Sequence, residues 1–169
     1  LNFAGTAAQL TGQRFAFDLN ADGQTEQINF VAPGSGFLVF DRNQDGKVNN
    51  GSELFGPTSN NGFQELAALD DDRNGWIDEN DSAWRQLAVW SGEGFASLAE
   101  RQVGALYTGA VDAPFTLKGE DNALLGQIRA AGLYLTEGGE VGHLQHVDLA
   151  VSAPAGGQQQ PDERQRLTA

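Results

Sequence analysis

Three short stretches of this chain repeat one pattern, and that pattern limits what the surrounding backbone can become. Asp18-Leu19-Asn20-Ala21-Asp22-Gly23, Asp41-Arg42-Asn43-Gln44-Asp45-Gly46 and Asp70-Asp71-Asp72-Arg73-Asn74-Gly75 each carry oxygen-bearing side chains at positions 1, 3 and 5 and glycine at position 6. Short Asp and Asn side chains bond the backbone two residues on, and glycine accepts φ > 0, so each stretch has to turn the chain. We call them loops A, B and C. Between Asp18 and Asp81 lie nine Asp and four Glu against Arg42, Lys47 and Arg73, which places a net −10 of the chain's −13 in this segment. Like charge at that density repels itself unless a cation neutralises it.

Loop C extends from Asp70 to Asp81 and places oxygen side chains at positions 1, 3, 5, 9 and 12, with Gly75 at 6 and Ile77 at 8. This is the spacing of an EF-hand calcium loop, in which alternate side chains face the ion and position 7 offers its carbonyl. The predicted ligands are Asp70, Asp72, Asn74, Trp76 (backbone), Asp78 and Asp81; the shorter Asp81 replaces the usual Glu at position 12. In loop B the predicted ligands are Asp41, Asn43, Asp45, Lys47 (backbone) and Glu53, one residue later than the standard closing position. Loop A is read as a clasp between two strands, with Asp18, Asn20, Asp22, Gln24 (backbone) and Glu26 as ligands. Calcium is the expected cofactor at two or three sites.

Around the loops the hydrophobic pattern changes. Arg14–Phe17 and Ile28–Val31 alternate with period two, and Gly36–Phe40 is a short apolar run, so this region reads as strands. Phe63, Leu66, Ala67 and Leu69 give a helical stripe before loop C, and Trp84, Leu87, Ala88 and Trp90 give another after it. Asn80, Asp81 and Ser82 offer N-cap oxygens for the second helix. Phe95–Glu100 reads as a weaker helix. Strands return at Phe115–Leu117, Leu125–Leu135 and Val141–Val151, with Glu137-Gly138-Gly139-Glu140 as a hairpin turn. The expected fold class is α+β, a mostly antiparallel sheet with a helical EF-hand-like calcium-binding insertion. It would form one domain over 1–152, strand-rich over 1–42, helical over 43–104 and strand-rich over 105–152. The Gly- and Gln-rich stretch 153–169 is expected to be a disordered tail.

The segment from Phe15 to Trp90 resembles the EF-hand-like calcium domains of large bacterial secreted proteins, found beside repeats of the hemolysin (RTX) and adhesin type. The likeness rests on Phe-Asp-Leu-Asn-Ala-Asp-Gly, on Gly-Ser-Gly-Phe-Leu-Val-Phe-Asp-Arg-Asn-Gln-Asp-Gly-Lys-Val-Asn-Asn-Gly-Ser-Glu-Leu-Phe-Gly and on Gly-Phe-Gln-Glu-Leu-Ala-Ala-Leu-Asp. Loop A alone is similar to the calcium clasps of integrin-type propeller repeats. The resemblance implies calcium-dependent folding and a secreted or cell-surface setting. The Gly-Gly-rich nonapeptide repeats of the hemolysin family are absent, as is the further calcium loop that such domains often carry after the equivalent of Trp90.

Several function classes are disfavoured. A net charge of −13 and a pI near 4.3 do not suit nucleic acid or an anionic membrane surface, and no apolar run is long enough for a membrane-spanning helix. No signal peptide is visible, and the start at Leu1 with no Met suggests an excised or processed segment. Without Cys there is no thiolate metal site or thiol nucleophile. His143 and His146, three apart on a strand, should point to opposite faces and take surface or turn-adjacent roles rather than share a zinc ion. The clustered acids read as ligands, so no enzyme is expected. The expectation is a monomeric structural calcium module of a larger bacterial protein. The alternative is a calcium-dependent sensor or adhesion adaptor for a protein partner.

Overall fold

The computed structural model describes residues 1–5 and 7–152, and the backbone of residues 163–168. In chain order its strands are β1 (Leu10–Phe17), β2 (Glu26–Val31), β3 (Phe37–Phe40), β4 (Trp76–Ile77), β5 (Leu87–Ser91), β6 (Gly94–Ser97), β7 (Val103–Tyr107), β8 (Val111–Lys118), β9 (Leu124–Thr136), β10 (Val141–Ser152) and β11 (Glu163–Thr168). Every pairing is antiparallel. The larger sheet runs β1-β2-β10-β9-β7-β4, with β8 beside β9 and β11 beside β10; the smaller runs β3-β5-β6.

The β9–β10 hairpin is the longest local unit. Its turn is the predicted Glu137–Glu140: Gly139 has φ +84, and the Thr136 amide donates to the Glu140 carbonyl at 2.8 Å. Leu144 to Val151 are buried without alternation, because this part of β10 is covered on both faces. The acid and the imidazole in that run are therefore buried too. Asp148, 1 % exposed, accepts a 2.6 Å ion-pair bond from Arg129 on β9. His146 is also buried, which corrects the expected surface role for this histidine.

The smaller sheet stands between two hydrophobic cores. Phe37 and Val39 of β3 and Ala88 of β5 enter one core with Leu19, Ile28, Leu54 and Val147. Leu38, Leu87 and Val89, their alternate neighbours, enter the other with Phe63, Leu66, Ile77, Leu106 and Leu144. Period-two alternation thus supplies both cores from the same two strands. Trp90 packs against Phe15, Phe17, Phe30 and Phe37 with ring centroids 4.9–5.9 Å apart, the range for edge-to-face and tilted aromatic pairs.

The expected α+β fold with a helical insertion does not form. The one α-helix among the described residues is α1, Gly62–Ala67, capped by the Asn61 side chain on the Gln64 amide. After loop C the chain makes only a 3₁₀ turn at Trp84–Gln86, with no side-chain cap, and then enters β5. Neither Asn80, Asp81 nor Ser82 is its N-cap residue, which is Ala83. The stripe Trp84, Leu87, Ala88, Trp90 fits a helical period, but Leu87, Ala88 and Val89 are buried in succession. That is the mark of a strand covered on both faces, and a short apolar run does not separate the two cases by periodicity alone. The weak helix expected at Phe95–Glu100 is β6 with the turn after it. Of the expected disordered tail, residues 153–162 and 169 lie outside the described residues, and Glu163–Thr168 pair with β10.

Because Phe37 is fully buried and contacts both Phe30 and Trp90, Phe37→Ala should lower the free energy of unfolding by about 3–5 kcal/mol. Urea titration followed by tryptophan fluorescence measures this.

Candidate metal centres in three acidic loops

Loops A, B and C connect different elements yet share one backbone skeleton. The position-4 residues, Ala21, Gln44 and Arg73, are all left-handed at φ +58, +57 and +58. The position-6 glycines follow at φ +88, +72 and +86. This curl aims successive amides inward at the first aspartate. The position-6 amide donates to its second carboxylate oxygen at 3.0 Å in Asp18, 2.9 Å in Asp41 and 2.8 Å in Asp70. The position-5 amide donates to its other oxygen at 3.0, 3.2 and 3.2 Å and to the position-3 side chain, Asn20, Asn43 or Asp72, at 3.1 Å in each loop. Gln24, Lys47 and Trp76 take part through their amides, which donate to Asp22, Asp45 and Asn74 at 2.8, 2.9 and 2.7 Å.

The closing carboxylates differ. In loop A the Glu26 Oε2 accepts from the Leu19 amide at 2.9 Å. In loop B the Glu53 Oε2 accepts from the Asn49 amide at 2.9 Å, so the displaced Glu53 does fold back to its loop. In loop C the Asp81 carboxylate accepts from the Asp71 amide at 2.7 Å and from the Asp78 amide at 2.9 Å. The short Asp81 side chain reaches both because the chain turns tightly there, with the Asp81 amide on the Asp78 carbonyl at 3.0 Å. Asp81 is buried, as are Asp41 and Glu53.

Asp70, Asp72 and Asp81 bring one carboxylate oxygen each to within 4.8 Å of one another, the only such group of three His, Cys or acidic side chains among the described residues. A calcium ion sits about 2.3–2.6 Å from each oxygen, so ligands on opposite sides of it are about 5 Å apart. The trio fits that span, and an all-oxygen set suits a hard cation. The charges also strain against each other. Loss of hydration pushes the Asp72 carboxyl above the ordinary range, and the neighbouring Asp70 and Asp81 push it further, against the Asn74 amide bond. In loop A, burial raises the Glu26 carboxyl, the Leu19 amide bond opposes the rise, and Asp22 and Asp18 add to it.

Not every predicted ligand joins its cluster. The Asp78 Oδ1 accepts from the Asn80 amide and side chain, each at 2.9 Å. Asn74 joins the trio through its side-chain bond to Asp72 at 3.1 Å, and the Trp76 ring lies on Tyr107 at 5.0 Å. Two hydrogen-bonding neighbours escape a reading limited to ligand positions. The Asn49 side chain ties Asp45 to Glu53 at 3.1 and 3.3 Å; its place at position 9 of loop B was the available signal. Asp71 accepts from the Ser82 amide at 2.7 Å, which closes the mouth of loop C. No spacing rule marks Asp71.

These features define a β-rich domain that displays three acidic loops of common geometry. Residues 1–150 match the SPM domain, and the chain belongs to that family. It is also similar to the iron-regulated protein FrpA of Neisseria meningitidis serogroup C, 33 % identical over 82 residues. That match covers 44 % of this chain but 7 % of FrpA, so the shared segment is a small part of a much longer bacterial protein.

Gly75 has φ +86, and its amide holds Asp70. Gly75→Ala should therefore cost about 1–2 kcal/mol in stability from the left-handed backbone alone. Comparison with Gly12→Ala, at a glycine whose Cβ would meet nothing within 4 Å, in the same denaturation assay isolates the conformational cost.

Proposed function

We propose that this domain is a calcium-stabilised structural module of a longer bacterial protein, with loop C as its principal ion site and loops A and B as further sites. The observation that carries the reading is the convergence of the Asp70, Asp72 and Asp81 carboxylates of loop C to within 4.8 Å of one another. Loops A and B share its hydrogen-bonded skeleton without bringing three acids that close. The Asp70, Asp72 and Asp81 oxygens would hold the ion in loop C, with Asn74 beside them. In loops A and B the corresponding side chains are Asp18, Asn20, Asp22 and Glu26, and Asp41, Asn43, Asp45 and Glu53. Calcium would supply the positive charge that this acidic segment lacks. The longer parent is inferred from the small share of FrpA that the match covers.

Binding only to the folded state stabilises by RT ln(1 + [L]/Kd), about 2.7 kcal/mol per site at 100-fold saturation. For a chain of this size that corresponds to a rise in melting temperature of about 5–10 °C per site. Calorimetry with calcium and with chelator should show this rise and its reversal; identical melts would overturn the reading. Terbium in place of calcium should give tryptophan-sensitised emission through Trp76, reduced in Asp70→Ala and in Trp76→Phe.

One observation favours a calcium-dependent adaptor as a second reading. An apolar cavity of about 410 Å³ is lined by Tyr107, Val111, Ala131, Leu133 and His143, and its Tyr107 wall packs on Trp76 of loop C. Under this reading, calcium should increase binding of a neutral apolar dye, and Tyr107→Ala should remove the increase.

A further inference from the structure

Loops A and B meet at a single glycine. The Gly51 amide donates to the Asp18 carbonyl at 2.8 Å. A Cβ placed on Gly51 would lie 1.6 Å from the Leu19 carbonyl oxygen and 2.4 Å from its carbon. Both colliding atoms are backbone, so no rotamer change relieves the contact, and only glycine lets the two chains approach this closely.

The residues on each side of that contact are the ones that close the loops. Asp18 opens loop A, and the amide of the next residue, Leu19, holds the closing Glu26 at 2.9 Å. Gly51 begins a 3₁₀ turn that ends at Glu53, the closing residue of loop B. A shift of the turn carrying Glu53 is therefore passed through one backbone contact to the peptide that positions Glu26. Leu19 and Leu54 share one core, with Val48 of loop B packed against it. Loop C is anchored in the other core, through Ile77 and Leu69, and that core also takes Phe40 and Phe55 from the two flanks of loop B.

We infer that loops A and B form one coupled pair, in which ordering either loop around a cation orders the other, while loop C, which has no such glycine contact with loop A, keeps a midpoint of its own. The inference rests on the cation reading proposed above. Linkage requires the effect to be reciprocal: whatever factor loop B contributes to the affinity of loop A, loop A returns.

The amides of Gly23, Gly46 and Gly75 each donate to the first aspartate of their own loop, so each is a local reporter in ¹H–¹⁵N spectra of the full chain. In a calcium titration Gly23 and Gly46 should move with one midpoint and Gly75 with its own. Asp41→Asn, which weakens loop B, should raise the Gly23 midpoint by about fivefold or more and leave Gly75 within about twofold. Gly51→Ala should separate the Gly23 and Gly46 midpoints; should that variant fail to fold, Asp41→Asn still decides. An unmoved Gly23 midpoint in Asp41→Asn, with the Gly75 response intact, overturns the coupling and leaves the cation reading standing. If calcium moves none of the three amides, the cation reading falls and the coupling falls with it.

Discussion

The bond from a glycine amide to the first aspartate of its loop organises the acidic half of this protein. It recurs at 3.0, 2.9 and 2.8 Å in loops that leave a strand, another strand and a short helix. A carboxylate is a strong acceptor, and two inward amides fix both of its oxygens without any second side chain. Around that fixed point the third and fifth side chains each accept one backbone amide in every loop, while the closing acid docks differently in each. The flanking secondary structure does not enter this local rule. Three unlike contexts therefore produce the same curl.

This explains which parts of the structure were legible in the sequence. The loops could be read because their geometry is set by residues within a dozen positions, each with its own backbone preference. Asp70, Asp72 and Asp81 come together as the spacing implies, and Glu53 closes loop B one residue late. The strands β1, β2, β3, β9 and β10 were also visible, since alternation and the Gly138-Gly139 turn are local signals. The left-handed residues at position 4 were not visible, because nothing in Ala21, Gln44 or Arg73 advertises φ > 0.

The helical insertion failed for a different reason. Trp84, Leu87, Ala88 and Trp90 satisfy a 3.6-residue period only when Val89 is ignored, and Val89 is fully buried. What decides the matter is β3, some 50 residues earlier, which pairs with Leu87–Trp90 residue for residue. Pairing between segments so distant leaves no trace in a local window. In the same way, the meeting of Gly51 with Leu19 is a tertiary event. The glycine was readable only as one of several in a loop-rich stretch.

The placement of β3 has a further consequence. Its alternate side chains enter opposite cores: Phe37 and Val39 one, Leu38 the other. A slip of one residue against β5 would exchange these sets and spoil both interiors in a single step. Neither interior can loosen the strand without releasing the other. The register of this one strand thereby ties together two halves of the domain that each have their own hydrophobic centre.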